Sequence, residues 1–204
     1  MSVLTEQEVR ARARQATRDD QLLRKSYFAR NSREILHESV IAFSESRTYD
    51  MFLSHSIRDA EIILGVKSIL EDLGYTPYVD WIEDPQLERN DVTSETADIL
   101  RKRMRSSKSL LYVTTNNSDS SQWMPWECGY FDGFREKVAI APIKGYSTDY
   151  FQGVEYLGLY PYIVKDKNRV GQDKLWINKN TVTYIAFDEW VKTKNSELIW
   201  NSQS

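Results

Sequence analysis

From Tyr49 onward, short apolar runs alternate with stretches of helical periodicity. This alternation predicts an α/β fold with a parallel sheet flanked by helices. Strands are predicted over 51–53, 76–81, 110–114 and 138–143. Helices are predicted over 58–73, from Ser94 to about 107, and over 123–134. Gly74 directly follows the first of these helices and predicts where it ends.

The two ends of the chain follow different patterns. Residues 1–46 contain no Gly or Pro and carry apolar side chains at helical intervals, which predicts one or two amphipathic helices packed on the domain. An arm for oligomerisation or partner docking is the alternative. We therefore divide the chain into an N-terminal helical arm (1–46), a core (47–144) and a C-terminal extension packed on it (145–204).

The C-terminal extension gives weaker signals. Residues 153–163 predict a loop leading into an edge strand, because Pro161 cannot donate to a strand ladder. Residues 164–180 are predicted to be a polar segment with a charged loop. A last strand over 181–187 and a short helix over 189–200 complete the prediction.

Composition narrows the class of protein. The chain has 204 residues, a net charge of -3 and one cysteine. The charge implies no general affinity for nucleic acid. A single cysteine allows no disulfide within the chain, so a reducing, cytoplasmic setting is expected. We find neither an apolar run long enough to cross a membrane nor a secretory signal at the acidic N-terminus.

The chain lacks the residues that several common kinds of binding or catalytic site require. The chain has neither a Gly-x-Gly-x-x-Gly loop after the first strand nor a P-loop. Two histidines and one cysteine cannot build an ordinary zinc site, so no metal is expected. Ser54 and His55 are neighbours near a strand end and point to opposite faces, which argues against a hydrolase triad. The remaining candidates follow the strands, at the edge where open α/β sheets bind ligands.

Three pieces of the sequence, in this order, resemble a TIR (Toll/interleukin-1 receptor homology) domain. They are the run 49–56 with Tyr78-Val-Asp-Trp81, the strand 109–115, and Ser-Ser-Gln-Trp-Met-Pro-Trp-Glu-Cys-Gly-Tyr-Phe-Asp-Gly over 120–133. The resemblance covers roughly 48–143 and implies a flavodoxin-like sheet. Together with Glu-Thr-Ala-Asp-Ile-Leu-Arg-Lys-Arg-Met over 95–104, it is most similar to bacterial stand-alone TIR proteins of the Thoeris antiphage type.

The resemblance implies an enzyme that cleaves the nicotinamide–ribose bond of NAD. The products would be nicotinamide and either ADP-ribose or a cyclic ADP-ribose isomer that acts as an immune signal on an effector protein. NAD is then the substrate, and no cofactor is expected. Adjacent subunits of such enzymes often build the site jointly through the loop here at 82–91, so a homo-oligomer is expected. A non-catalytic TIR scaffold is the alternative.

The same resemblance implies the site residues. It assigns the catalytic carboxylate to Glu95, in the first turn of its helix, with Asp98 as the second candidate. A carboxylate at a helix start is also favoured by the helix dipole, so Glu95 could be only a helix stabiliser. The expected substrate-binding residues are Ser54, His55, Ser56, Asp80, Trp81 and Leu87.

Trp123 and Glu127 are four residues apart and share one face of the last core helix. We interpret the pair as structural, with the tryptophan in the core and the glutamate bonded to backbone or to an arginine. A catalytic Glu127 is the alternative. Cys128 is expected to be a small buried residue, because no histidine is placed to activate it.

Overall fold

The computed structural model describes residues 2–24, 48–79, 94–145 and 155–202. Within these residues, eight strands form one sheet in the order β2-β1-β3-β4-β5-β6-β7-β8. The strands are β1 Met51–Ser54, β2 Pro77–Val79, β3 Leu110–Thr114, β4 Val138–Pro142, β5 Tyr162–Lys167, β6 Asp173–Asn178, β7 Thr183–Ala186 and β8 Asn201–Ser202. The helices are α1 Glu6–Arg24, α2 Ala60–Asp72, α3 Ser94–Arg105, α4 Trp123–Arg135 and α5 Phe187–Lys192.

The first five strands run parallel, and β5 to β8 pair antiparallel. The predicted α/β fold with a parallel sheet and flanking helices is therefore confirmed. Phe52 of β1 lies between Tyr78 of β2 and Leu110 of β3. This register brings the carboxyl ends of the three strands to one edge, where ligands bind in open α/β sheets.

Alternate residues of β1 face two separate cores, as the pleat of a strand requires. Met51 and Leu53 point into a core that α1, α2 and α5 cover. Phe52 points into a second core, which α3 and α4 cover. Because Ser54 follows Phe52 by two residues, it lies on the face that carries α4.

Helix α1 packs directly on α2, as predicted for the N-terminal helix. Val9 and Ala13 are fully buried. The backbone of Val9 passes so close to Gly65 of α2 that a Cβ there would lie 2.7 Å from the Val9 carbonyl carbon. Arg12 adds two hydrogen bonds to Asp72, of 2.6 and 2.9 Å. Residues 25–47 lie outside the described part, so the three-segment division stays a prediction.

Residues 164–180, predicted as a polar segment with a charged loop, form most of the hairpin of β5 and β6, which the prediction did not foresee. The register pairs Lys167 with Asp173 and Asp166 with Lys174, so opposite charges face each other across the strands. The prediction of an edge strand is also wrong, since β5 lies between β4 and β6. Pro161 precedes β5, and its carbonyl accepts a hydrogen bond from Ile140 N at 2.8 Å.

The C-terminus differs from the predicted helix over 189–200. Helix α5 begins at Phe187 and ends at Lys192, and a short turn then leads to β8, which pairs with β7. The buried Lys137 secures this region to the start of β4. Its Nζ lies 5.2 Å from the ring centre of Trp190 and donates a hydrogen bond to Asn195. Among the helices described, none is long and apolar enough to span a bilayer.

Candidate functional site

The expected site residues fall into two groups. Ser54 is the last residue of β1, and His55 and Ser56 follow it at the carboxyl edge of the sheet. Glu95 lies in the first turn of α3, but its side chain is outside the described structure. Asp80, Trp81 and Leu87, with the rest of the loop at 82–91, also lie outside the described residues.

A buried hydrogen bond joins Ser54 to Glu127 of α4. The Oγ of Ser54 donates to Oε2 of Glu127 at 2.5 Å. Ser54 is 0% exposed and Glu127 is 6% exposed. Burying a carboxylate is costly unless it is hydrogen-bonded, and Ser54 supplies such a bond. The carboxylate of Glu127 is thus held at the edge where ligands bind in this class of sheet.

The Trp123–Glu127 pair differs in detail from the structural interpretation. Trp123 is half-buried and packs against the second core rather than inside it. Its ring meets Trp126 edge-on at 5.5 Å between centroids. The serine partner of Glu127 was not foreseen, since a backbone group or an arginine was expected. Residues 54 and 127 are too far apart in the sequence for a local pattern to reveal their contact.

His55 is half-buried directly after β1. Its Nδ1 lies 2.8 Å from the carbonyl oxygen of Leu53. Because a carbonyl can only accept, Nδ1 carries the proton and Nε2 keeps its lone pair. Burial lowers the pKa of His55 below 6.5, although the Leu53 carbonyl and the charge of Asp59 both raise it. His55 is therefore neutral at pH 7.

A second buried carboxylate lies one turn further along the chain. Ser56 caps a short 3-10 turn, Ile57–Asp59, by accepting a hydrogen bond from Arg58 N at 3.4 Å. Asp59 is 6% exposed. It accepts hydrogen bonds from Thr115 Oγ1 at 2.5 Å and from Asn117 Nδ2 at 2.6 Å. Asp59 thereby ties the turn after β1 to the loop after β3.

Sequence reasoning missed Asp59, Thr115 and Asn117. Their positions carried a usable signal, since all three come shortly after strands whose carboxyl ends share one edge. An acid after one strand and hydroxyl and amide donors after its neighbour are suited to bridge the two loops.

Asp98, the second candidate for the catalytic carboxylate, lies on the solvent side of α3. Its side chain is 67% exposed and accepts a hydrogen bond from Arg101 at 2.8 Å. The guanidinium of Arg101 also lies 5.5 Å from the ring centre of Trp126. Asp98 therefore takes part in a surface contact between α3 and α4.

Two further observations bear on the chemistry. Cys128 is buried beside Glu127, and burial raises the pKa of its thiol to about 11. A thiol with so high a pKa is a poor nucleophile at neutral pH. In the described ranges, no group of three or more His, Cys, Asp or Glu side chains is arranged to hold a metal ion.

These features define a flavodoxin-like α/β domain with polar residues gathered at the carboxyl ends of β1 and β3, as in TIR proteins. No family model matches the chain. It is 48% identical over 175 residues to the Bacillus cereus (strain MSX-D12) protein named "Probable 3' cyclic ADP-D-ribose synthase ThsB'", covering 83% of this chain and 91% of that one. The chain therefore belongs to the bacterial TIR family of the Thoeris type.

A second relative matches only part of the chain. It is TIR2 of Cytobacillus dafuensis, named as a candidate cyclic ADP-D-ribose synthase, and is 34% identical over 85 residues. The match covers 41% of this chain and 22% of that protein. Both relatives are thus named as cyclic ADP-D-ribose synthases.

Proposed function

We propose that this protein breaks the nicotinamide–ribose bond of NAD and closes the ADP-ribose part into a cyclic product. The names of both relatives support this proposal, and one of them matches over 83% of the chain. The observation that carries it is the buried Glu127 carboxylate, held by Ser54 at the carboxyl end of β1.

One carboxylate is sufficient for the bond cleavage. Nicotinamide leaves NAD as a neutral molecule from a cationic centre, so no general acid has to protonate it. The ribose then carries an oxocarbenium-like charge, which a nearby carboxylate stabilises. Attack by water gives ADP-ribose, whereas attack by a group of the same molecule gives a cyclic product. Excluding water from the site favours the cyclic product.

The described contacts support Glu127 as that carboxylate. It is buried and accepts a hydrogen bond from Ser54, a residue that was expected to bind substrate. Asp98 is exposed and paired on the surface. The prediction that Glu95 is catalytic stays untested, because its side chain is not described. Glu127 and Glu95 are therefore the two candidates that an experiment must separate.

The experiment is chromatography of NAD incubated with the purified chain, alone and in lysate of infected cells, with nicotinamide, ADP-ribose and cyclic products quantified. Glu127→Gln keeps an acceptor for Ser54 but removes the charge, and we expect it to lower nicotinamide release by more than ~10²-fold. Asp98→Asn is the matched control and should stay within about threefold of the parent, since its carboxylate is solvated. Melting curves check that each variant is folded.

Glu95→Gln decides between the two glutamates. If it abolishes release while Glu127→Gln remains active, the catalytic carboxylate is Glu95. If the parent chain releases no nicotinamide under either condition, the proposed function is wrong.

We also propose that the active form is a homo-oligomer and that its nucleotide product acts on an effector protein. The support is the family resemblance, in which neighbouring subunits complete the site. Specific activity should therefore rise with protein concentration over a hundredfold range. Deleting residues 1–46 is unsuitable as a test of assembly, because α1 covers the core through Val9 and Ala13. Light scattering at each concentration provides the independent readout.

A further inference from the structure

The turn that follows β1 is hydrogen-bonded at both of its ends to the part of the chain that leads into and forms α4. At the start of the turn, Ser54 Oγ donates to Glu127 of α4 at 2.5 Å. At its end, the buried Asp59 carboxylate accepts from Thr115 Oγ1 at 2.5 Å and from Asn117 Nδ2 at 2.6 Å. The cleavage chemistry described above uses the first of these contacts and gives the second no role.

A series of hydrogen bonds connects the Asp59 contact to the start of α4. Ser118 Oγ donates to the carbonyl of Thr115 at 2.7 Å, and Ser121 N donates to the carbonyl of Ser118 at 3.1 Å. Ser121 Oγ then accepts from Met124 N, in the first turn of α4, at 3.3 Å. The loop after β3 is therefore linked by hydrogen bonds from Asp59 to the first turn of the helix.

A carboxylate that stabilises a developing charge has to be placed accurately. A displacement of about 1 Å from the reacting geometry can lower a rate by ~10²-fold. Cys128 and Phe131 hold α4 against the second core, but apolar contacts have no preferred direction. Hydrogen bonds weaken steeply away from their preferred geometry, so the bonded loop at the start of α4 restricts how the helix can slide or turn on the core.

We propose that Asp59 is a positioning residue for bond cleavage. By holding Thr115 and Asn117, it fixes the loop after β3 and thereby the place of the Glu127 carboxylate. This inference rests on the proposed function, with Glu127 as the carboxylate. Asp59 acts through its hydrogen bonds and not through its charge. Loss of those bonds should lower kcat and leave KM nearly unchanged, because the carboxylate stabilises a charge that develops in the transition state.

Steady-state nicotinamide release from NAD by the purified chain, corrected for the folded fraction by circular dichroism, tests this role. Asp59→Ala removes both bonds, so kcat should fall by ~10- to 10²-fold with KM within about threefold of the parent. In Asp59→Asn, the amide oxygen accepts from Thr115, and the amide nitrogen donates to Asn117 once the Asn117 amide has turned over. Most of the lost activity should then return, although the charge is gone.

Two variants in the loop after β3 leave Asp59 itself unchanged. Thr115→Val removes one of the Asp59 bonds, so kcat should fall by about 3- to 10-fold. Ser120→Ala is the matched control, because it removes only an exposed hydrogen bond to the Asn117 carbonyl and keeps both Asp59 bonds. Its kcat should stay within about twofold of the parent.

A double variant shows whether Asp59 acts through Glu127. In Glu127→Gln the charge to be positioned is absent, so adding Asp59→Ala should lower kcat by less than about threefold more. A role confined to folding would lower the active fraction by the same factor whether or not Glu127 is present. The comparison therefore separates positioning of the carboxylate from a general loss of stability.

The outcomes separate the inference from the function beneath it. A kcat of Asp59→Ala within about twofold of the parent would overturn the inference, and so would a loss in Asp59→Asn as large as that in Asp59→Ala. Full activity of Glu127→Gln, or factors that multiply in the double variant, would overturn it as well. If Asp59→Ala does not fold, Thr115→Val decides, and an unchanged kcat there overturns the inference. Absence of nicotinamide release by the parent would contradict the proposed function itself.

Discussion

The close contact of α1 with α2 predicts an unusual effect of adding one methyl group. In an exposed helix, replacing Gly by Ala stabilises the protein by about 1 kcal/mol, since alanine is the better helix former. At Gly65 the added Cβ would lie 2.7 Å from both the carbonyl carbon and Cγ1 of Val9, and still closer to the carbonyl oxygen. The Val9 side chain can rotate away, but its backbone cannot. Gly65→Ala therefore displaces α1 from its packed position on α2.

The size of the effect depends on how far α1 moves. If the helix shifts and stays bound, overpacking costs about 1–3 kcal/mol, of which the gain in helix propensity offsets about 1. If the N-terminal segment detaches, the burial of Leu4 and Val9 is lost, at about 1.5–3 kcal/mol each. After that offset, we expect a net loss of about 0–2 kcal/mol if α1 stays bound and about 2–5 kcal/mol if it detaches. For a chain of this size that lowers the melting temperature by about 2–4 °C per kcal/mol.

Urea unfolding of Gly65→Ala, compared with the parent, measures this loss. Gly133→Ala in α4 is the matched control, because a Cβ there meets nothing within 4 Å. Gly133→Ala should raise the free energy of unfolding by about 0.5–1 kcal/mol. If Gly65→Ala were as stable as Gly133→Ala, the close approach of the two helices would be refuted.

Three further predictions concern single side chains. Burial alone would raise the pKa of Asp50, but hydrogen bonds from Lys108 and Thr76 hold that pKa below 3.8. The Asp50 carboxylate therefore stabilises the folded protein above pH 3.8, and this stabilisation is lost as the pH falls through the lower pKa of the folded state. Asp50→Asn should thus cost about 1–3 kcal/mol at pH 7 in urea unfolding and progressively less in acid; a cost that does not change with pH would contradict this. Cys128 should react with iodoacetamide at pH 8 only when the protein is unfolded, because its thiol is buried with a pKa of about 11; reaction of the folded protein at the rate of a free thiol would disprove this. Trp123→Ala should cost about 3 kcal/mol, the lower end for a large aromatic, because the ring is only half-buried; a cost below about 1 would show that the ring does not support the core.

Much of the parallel half of the fold could be predicted because its elements bury one face each. Strand β3 has the predicted bounds, and α4 begins at Trp123 as predicted, with Pro125 in its first turn, where a missing N–H costs nothing. Gly74 lies two residues after the end of α2 and has a φ of +86°, a left-handed conformation that favours glycine. In each case a strong local pattern and the tertiary structure agree.

The β5–β6 hairpin escaped prediction because its strands are only partly buried and carry charged side chains. Lys165, Asp166 and Lys167 resemble a loop when only hydrophobicity is considered. The information lies in the charges of the partner strand, since register pairs lysine with aspartate twice. Such pairing is visible only when two segments are compared in antiparallel order. The same limit applies to the Ser54–Glu127 bond, which depends on how α4 crosses the sheet.

The N-terminus is joined to a part of the chain that is synthesised much later. Lys165 N donates to the carbonyl of Ser2 at 3.1 Å, and Lys165 Nζ reaches Glu8 at 2.8 Å. On the ribosome, α1 emerges before β5, so it cannot complete these contacts until β5 has been translated. Contacts between segments so distant in sequence form slowly, because a long loop must close before they give any stability. The N-terminal end of α1 is therefore secured only after β5 has been made, whereas the packing of α1 on α2 needs no residue beyond Asp72.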